Sequence, residues 1–120
     1  MRNEMKRFLG IYTGSITGRS SWDSLPESER KEREARGINA WYEWIEKNKA
    51  SILEVGAPLG RTKSVSKTGV ADIKNNMSAF TVVQAESHEE AAKLFENHPH
   101  FTIFPGDRVE IMPVLAIPGM

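Results

Sequence analysis

The order in which the apolar pattern changes its period along the chain is the feature that most restricts the fold. Runs of alternating or continuous apolar residues, typical of strands, surround two stretches in which apolar residues recur every three to four positions, typical of helices. The order reads strand, helix, strand, strand, helix, strand. An antiparallel sheet with both helices on one face has this order in the ferredoxin-like βαββαβ fold. We therefore expect one α+β domain over residues 1–120.

The first strand is predicted at Phe8–Tyr12, which is rich in aromatic and branched residues and is followed by a turn at 13–15. Its even-numbered residues face one side of the sheet, and Leu9 and Ile11 face the other. Apolar side chains therefore remain on both faces, and a second subunit could cover the face without helices. The small, polar segment 15–22 that follows is predicted to be a loop.

The first helix is predicted to begin near Pro26, because Ser24 and Glu27 form a capping-box pattern around that proline. Gly37 interrupts the helical pattern, which then resumes and ends at 55–58, where a glycine and a proline stand. The apolar stripe suited to covering a sheet consists of Ile38, Trp41, Trp44, Ile45 and Ile52.

Two further strands are predicted in the middle of the chain. Residues 59–67 alternate apolar or small residues with basic ones, which indicates an exposed edge strand. Residues 68–76 contain a glycine and two consecutive asparagines and are predicted to be a loop. Residues 77–86 are centred on an apolar run and are predicted to be a central strand.

The second helix is predicted to begin at Ser87, which forms a capping-box pattern with Glu90. It is predicted to end at His98, because Pro99 disfavours helical geometry in the residue before it. A turn at 105–107 then leads into the final strand, Val109–Leu115.

Charge and cysteine content exclude several classes of function. Lysine and arginine together number 16, as do aspartate and glutamate, so the chain lacks the basic excess that recruits nucleic acid or anionic membranes. The chain has no cysteine, which rules out disulfides and thiolate chemistry and fits a reducing compartment. The polar start and the short apolar run after it fit neither a signal peptide nor a membrane span, so we expect a cytoplasmic protein.

Four parts of the chain carry a family resemblance. They are the opening strand Lys6–Tyr12, the segment Trp41–Trp44 followed by Gly56–Leu59, the stretch Ala85–Ala92, and His98–His100 followed by Val109–Val114. In this order, over nearly the whole chain, they resemble the YCII-related, or DGPF-type, domain family of the dimeric α+β barrel group. Where many members carry Asp-Gly-Pro-Phe, this chain has Val70–Asn76, so no role of that motif is transferred.

The resemblance implies a homodimer whose two sheets meet face to face. It also implies a pocket between the sheet and the helices or near the dimer seam. It implies no settled activity, because members of the family are largely uncharacterised. A histidine and aspartate pair in a cleft is what suggests an enzyme in this family.

His98 is the candidate catalytic residue, because histidine titrates near neutral pH, and Asp107 would orient it or carry a charge beside it. The alternative is structural, with the His98 ring at a helix C-terminus binding the last carbonyls. His98 and His100 would lie on the same side of an extended segment, as metal ligands do. A third ligand is missing unless folding brings His88 or Asp107 near, so no metal is predicted.

Arg61 and Lys63, on the predicted second strand, would bind an anionic small molecule if they faced a pocket, with Tyr12 and Arg7 beside them. The alternative for these cations is a solvated sheet edge. His100 is a further candidate ligand-binding residue, although it could simply cover neighbouring phenylalanines. Of the aromatic residues at 41, 42 and 44, we expect only one to touch a ligand, because aromatic residues at helical spacing are usually core.

The leading functional hypothesis is a dimeric protein that binds a small organic molecule and acts on it by histidine acid–base chemistry. A non-catalytic ligand-sensing or assembly module is the alternative, since no triad or metal cluster stands out. Phosphate-binding motifs are absent, so nucleotide cofactors are not expected, and no cofactor is predicted. Haem-dependent chemistry with one histidine as ligand is a third option.

Overall fold

The computed structural model of the protein describes residues 4–120. In chain order the elements are β1 (Lys6–Gly14), α1 (Ile16–Asp23), α2 (Glu27–Asn48), β2 (Ile52–Pro58), β3 (Thr62–Ser66), β4 (Gly69–Ile73), β5 (Met77–Ala85), α3 (His88–Lys93), α4 (Pro99–Thr102) and β6 (Gly106–Pro113).

Four strands form one antiparallel sheet in the order β2-β5-β1-β6. The central strand β1 pairs with β5 on one side, where Leu9 lies opposite Val82, and with β6 on the other, where Leu9 lies opposite Met112. Helix α2 connects β1 to β2, and the α3–α4 segment connects β5 to β6. The predicted ferredoxin-like α+β fold is confirmed.

The hydrophobic core lies between one face of this sheet and the helices α2 and α3. Its buried members are Phe8, Tyr12, Val83 and Ala85 from the strands and Trp44, Ala91 and Phe95 from the helical segments. Gly10 leaves room for the ring of Phe95, which would come within 2.9 Å of a Cβ at position 10. Burying a large apolar side chain of this kind contributes roughly 2 kcal/mol to folding.

The opposite face of the sheet also carries apolar side chains. By the strand pleat, Leu9, Ile11, Val82 and Met112 point to that face. All four remain at least partly exposed, and Met112 keeps 38% of its accessible surface. The apolar set expected on the second face of β1 is therefore present.

The first long helix ends earlier than its sequence pattern indicates. Helix α2 ends at Asn48, whose side-chain amide donates to a carbonyl one turn back, and Ile52 begins β2. The prediction of a helix that continues to residues 55–58 is therefore wrong. Ile52 lies seven residues after Ile45 and opposite Val83 in the sheet, so it meets the core in either structure. Periodicity alone could not separate the two possibilities.

The predicted edge strand at 59–67 is only partly correct, because β3 covers residues 62–66 and does not join the main sheet. It pairs with β4 in a separate two-stranded hairpin, in which Lys63 Nζ lies 2.6 Å from Asp72 Oδ1. The predicted loop at 68–76 is wrong for residues 69–73, which form β4. Gly69, with a φ of +109°, allows the tight reversal that joins the two strands.

The segment predicted as a loop at 15–22 is largely helix α1, so that prediction is wrong. The hydroxyl of Ser15 accepts a hydrogen bond from the N–H of Gly18 at 3.0 Å and thereby caps the helix. Trp22 anchors the other end, since its ring is buried against Phe104 with the ring centroids 5.8 Å apart. A serine cap followed seven residues later by a buried tryptophan is a weak sequence signal.

The predicted second helix, 87–98, is confirmed only as the shorter helix α3, and a further short helix, α4, follows after its predicted end. Helix α3 ends at Lys93, Asn97 takes a φ of 58°, and His98 precedes α4. The structural interpretation of His98 as a residue at a helix C-terminus is therefore wrong, because His98 is the N-cap of α4. Pro99 starts a helix instead of only closing one, since its fixed φ and missing N–H suit a first helical position as well as a stop.

Candidate ligand-binding site

The turn that begins α4 holds His98 and His100 in fixed orientations. The Nδ1 atom of His98 accepts a hydrogen bond from the backbone N–H of His100, at 3.0 Å. Pro99, between them, occupies the first helical position, where proline is favoured. Because Nδ1 of His98 accepts a hydrogen bond, the proton of its neutral ring is on Nε2.

The His98 ring is fully buried among aromatic side chains. Its centroid lies 4.5 Å from that of Trp41, edge to face, 4.6 Å from that of Trp44 and 5.1 Å from that of Tyr12. Its Nε2 has no hydrogen-bond partner among residues 4–120. Burial, reinforced by the nearby His100, lowers the pKa of His98 from 6.5 to about 3. The ring is therefore uncharged at neutral pH.

His100 is buried as well, but its ring lies at the surface of two cavities. Its Nε2–H donates to the carbonyl of Thr13 at 2.7 Å, which leaves Nδ1 with a lone pair and no hydrogen bond to residues 4–120. Burial lowers the pKa of His100, while the Thr13 carbonyl and the charge of Asp107 act in the opposite direction. Gly106 stands against the ring, at a point where a Cβ would overlap it.

Tyr12 is held by a chain of hydrogen bonds across the sheet. The Thr81 hydroxyl donates to the carbonyl of Val55 at 2.9 Å and so accepts from the Tyr12 hydroxyl at 2.8 Å. Burial raises the pKa of Tyr12 to about 12, with the Thr81 hydroxyl acting in the opposite direction. Tyr12 therefore stays protonated and keeps its oxygen as an acceptor.

A cavity of about 580 Å³ lies between α2 and the strands β2 and β5. We call it the aromatic cavity, because its lining includes Tyr12, Trp41, Tyr42, His100 and Phe104. Small-molecule sites usually have volumes of roughly 300–1,000 Å³ and mainly apolar walls. The aromatic cavity has both properties.

A second cavity, of about 780 Å³, lies between α1, the loop after β4 and the turn before β6. We call it the polar cavity, because its lining includes Ser15, Arg19, Ser20, Lys74, Asn75 and Asn76. Both cavities are lined by Arg19, Ser78, His100 and Phe104. The two cavities therefore adjoin at these residues, and we call them the two lobes of the candidate site.

Phe104 is placed between the lobes by a glycine of α2. The Phe104 ring would come within 2.5 Å of a Cβ at Gly37, so it packs directly on the backbone of this helix. Gly37 does not interrupt α2, which is continuous from Glu27 to Asn48. Gly37, at which the apolar pattern of the sequence breaks, is therefore the position on which the Phe104 ring packs.

The structure separates the predicted catalytic partners. His98 lines neither cavity, and no hydrogen bond or ion pair joins it to Asp107 within residues 4–120. Asp107 is exposed at the start of β6, and its charge acts on His100 instead. The catalytic role of His98 and Asp107 stays a prediction.

Of the predicted ligand-binding residues, Tyr12 and His100 come together and Arg61 does not. Tyr12 and His100 both line the aromatic cavity, with ring centroids 5.2 Å apart. Arg61 is exposed before β3 and lines neither cavity, and its neighbour Lys63 pairs with Asp72 in the hairpin.

The three aromatic residues of α2 differ in their surroundings. Trp44 belongs to the core, and its Nε1 donates to the carbonyl of Leu94 at 2.7 Å. Trp41 and Tyr42 line the aromatic cavity. The expectation that only one of the three touches a ligand stays a prediction.

Residues 4–120 contain neither a group of side chains arranged to hold a metal ion nor a membrane-spanning helix. No group of three or more histidine, cysteine, aspartate or glutamate side chains is arranged to hold a metal ion. None of the helices in this part of the chain is long and apolar enough to cross a membrane.

Sequence reasoning missed Arg19, Phe104 and Gly106 as site residues. Arg19 stands four residues before Asp23, and the two form an ion pair at 3.3 Å, a spacing that could have indicated α1. No local signal marks any of the three as part of a site. They meet at His100 only because the fold brings α1 and the turn before β6 together.

Comparison with known proteins gives one informative result. No family model matches the sequence, and no curated protein matches it. The structure is similar to that of TftG, a 5-chloro-2-hydroxyhydroquinone dehydrochlorinase from Burkholderia phenoliruptrix AC1100, solved in complex with 2,5-dihydroxybenzoquinone. The TM-score is 0.50 and the identity 19%, over 88% of this chain and 90% of TftG. At this identity the likeness shows a shared fold alone.

Proposed function

We propose that this protein is a homodimer of the YCII-related kind that binds a small, planar, oxygen-bearing organic molecule in the aromatic cavity. The observation that carries the proposal is the state of His100. His100 lines both cavities, its Nε2–H is bound to the Thr13 carbonyl, and its Nδ1 lone pair has no hydrogen bond within residues 4–120. A hydroxyl group on a bound ring is the natural donor for this nitrogen.

The walls of the aromatic cavity fit a flat ring better than a flexible chain. Trp41 and Phe104 pack edge to face against each other, with ring centroids 6.1 Å apart, and together form an aromatic wall of the cavity. Aromatic side chains stack on planar ligands and stabilise them beyond simple area burial, by about 1 kcal/mol a pair. The Tyr12 oxygen supplies one further acceptor.

The fold comparison supports this class of ligand. TftG, which shares the fold, was solved with 2,5-dihydroxybenzoquinone, a planar ring that carries hydroxyl and carbonyl oxygens. At 19% identity this says nothing of which residues bind the ring in TftG. It does make the same molecule a reasonable first probe for the aromatic cavity.

His100 also offers a route to acid–base chemistry. Its neutral Nδ1 can take a proton from a hydroxyl group of the bound ring, which would leave an imidazolium and a ring oxyanion. The Thr13 carbonyl and the Asp107 charge stabilise that imidazolium. In this proposal Asp107 supports His100 instead of His98, its predicted partner, and His98 positions His100 by accepting a hydrogen bond from its backbone N–H.

A specific observation favours the alternative, a non-catalytic ligand-binding module. Burial lowers the pKa of His100 and so weakens it as a base. A weak base still accepts a hydrogen bond. Binding without turnover of the ligand is the outcome that this alternative predicts.

The homodimer is supported by the open face of the sheet. Leu9, Ile11 and Val82 form an apolar patch there, and Arg108 and Glu110 lie on the same face as an ion pair at 3.1 Å. In a two-fold dimer this face packs against the same face of the second subunit. Because the face carries both a positive and a negative side chain, Arg108 of one subunit can approach Glu110 of the other.

Calorimetric titration tests the ligand class and the role of His100. We expect 2,5-dihydroxybenzoquinone or hydroquinone to bind the wild-type protein, and His100→Gln to lose about tenfold in affinity through loss of the Nδ1 acceptor. His88→Gln, which removes an exposed imidazole outside both cavities, is the matched control and should bind like wild type. Equal binding by a folded His100→Gln protein, or no binding of either ring, would contradict the proposal.

A further inference from the structure

We infer that the ligand carries an anionic group, which the polar cavity holds through Arg19 and Lys74 while its ring occupies the aromatic cavity. This inference rests on the proposed function and names the substrate class more closely: a planar ring with a carboxylate or a comparable anionic substituent. The first observation is the sharing of His100 and Arg19 between the two cavities. One molecule can therefore reach both lobes.

The charge of the polar cavity points to an anion. Arg19 and Lys74 line it, and within residues 4–120 no aspartate or glutamate does. The chain as a whole has no net charge, so two cations on the wall of one cavity are not a general property of the surface, and Asp23, outside the cavity, pairs with Arg19. Two cations in one concave site raise the local concentration of anions and favour their binding.

Arg19 and Lys74 each keep hydrogen-bond donors that a ligand can use. Arg19 contacts Asp23 through Nε alone, at 3.3 Å, and its two terminal nitrogens bind no group among residues 4–120. These two nitrogens can hold a carboxylate through two parallel hydrogen bonds. Lys74 makes no hydrogen bond or ion pair within the same range.

The cations of the polar cavity differ from Arg61 and Lys63, the basic residues that the sequence predicts to bind a ligand. Lys63 is neutralised by Asp72 at 2.6 Å, and Arg61 lines neither cavity. Asp107, Asp72 and Asp23 are the carboxylates nearest in sequence to the residues of the polar cavity, and none of them lines it. The cations of the polar cavity are the ones that a bound ligand would meet.

A pair of probes that differ only in charge tests the inference. The probes are 3-(4-hydroxyphenyl)propanoate and its amide, and the variants are Arg19→Gln and Lys74→Gln. We expect the carboxylate to bind wild type about tenfold more tightly than the amide, and each variant to lose several-fold in affinity for the carboxylate alone. The carboxylate affinity should also fall between 50 and about 300 mM salt, because screening weakens exposed ion pairs.

Lys47→Gln is the matched control, since it removes an exposed lysine of α2 that lines neither cavity. It should bind the carboxylate like wild type. Equal affinity of wild type for carboxylate and amide would overturn the anionic-group inference and leave the proposed function standing. Failure of both probes to bind would overturn the inference as well. Carboxylate binding that Arg19→Gln weakens but His100→Gln does not would instead contradict the proposed role of His100.

Discussion

Two histidines two residues apart are given different chemical states by their surroundings. The Nδ1 atom of His98 accepts a hydrogen bond from the backbone N–H of His100, and Trp41 and Trp44 enclose its ring. The Nε2–H of His100 donates to a backbone carbonyl, its Nδ1 has no hydrogen bond within residues 4–120, and the residue lines both cavities. The sequence His-Pro-His shows that two imidazoles are near each other, but the tertiary packing decides which of them is accessible.

The first prediction concerns acid stability. The folded-state pKa of His98 is lowered to about 3, whereas in the unfolded chain it is near 6.5. Below pH 6.5 the unfolded chain therefore binds the additional proton, and the free energy of unfolding should fall by about 1.4 kcal/mol for each pH unit down to about 3. His98→Asn, which keeps a capping acceptor but does not titrate, should show a shallower fall in urea unfolding followed from pH 7 to pH 4. An equally steep fall in His98→Asn would show that another group carries the acid dependence.

A second prediction at this scale uses Gly106, whose position against the His100 ring leaves no room for a Cβ. Gly106→Ala should displace His100, weaken binding of the ring probes and destabilise the fold by about 1–3 kcal/mol. Gly60→Ala is the matched control, because nothing lies within 4 Å of a Cβ at Gly60 and this residue lines neither cavity. Thermal unfolding and calorimetric titration of both variants would measure the effects, and wild-type binding by Gly106→Ala would contradict the placement of His100.

At the scale of the elements, the sequence predicts those whose pattern is local and misses those set by contacts. The sequence predicts Ser24 and Ser87 as the capping residues of the two helices. Only Ser87 accepts the expected hydrogen bond, from the N–H of Glu90 at 3.1 Å. Helix α2 has Pro26 as its N-cap instead, with no side-chain cap. Strand β2 was missed because its core contact, Ile52, also fits the helical stripe.

The prediction at this scale concerns Gly56 in β2. Gly56 has a φ of +78°, and a Cβ there would overlap the carbonyl of Phe80 on the neighbouring strand. Gly56→Ala should destabilise the protein by more than about 2 kcal/mol, from backbone strain and steric overlap together. Gly60→Ala, at a glycine in open space with no positive φ, should change stability by less than about 0.5 kcal/mol. Similar urea midpoints for the two variants would contradict this account of β2.

At the scale of the whole molecule, the site joins segments that are far apart in sequence. Arg19, Lys74 and His100 come from α1, the loop after β4 and α4, and they meet because the sheet order brings β1 and β5 side by side. The fold class follows from the element order, which is readable in the sequence. The site does not, because no sequence pattern relates α1 to α4.

The open sheet face carries the prediction at this scale. The wild-type protein should be a dimer in light scattering at micromolar concentration, and Val82→Glu should be monomeric, because it places a charge in the centre of the apolar patch. Lys47→Glu, a charge change on the exposed side of α2, is the control and should stay dimeric. A monomeric wild-type protein, or a dimeric and folded Val82→Glu protein, would contradict the proposed interface.

The central claim is that the free Nδ1 of His100 receives the ligand, and nitrogen NMR of the imidazole rings tests it most directly. The neutral His100 ring should carry its proton on Nε2 in the free protein. Addition of hydroquinone, whose hydroxyl groups stay protonated at neutral pH, should then shift the Nδ1 resonance of His100 and leave that of His88 in place. A ligand that binds without moving the His100 resonance, or a free protein with the His100 proton on Nδ1, would contradict the account.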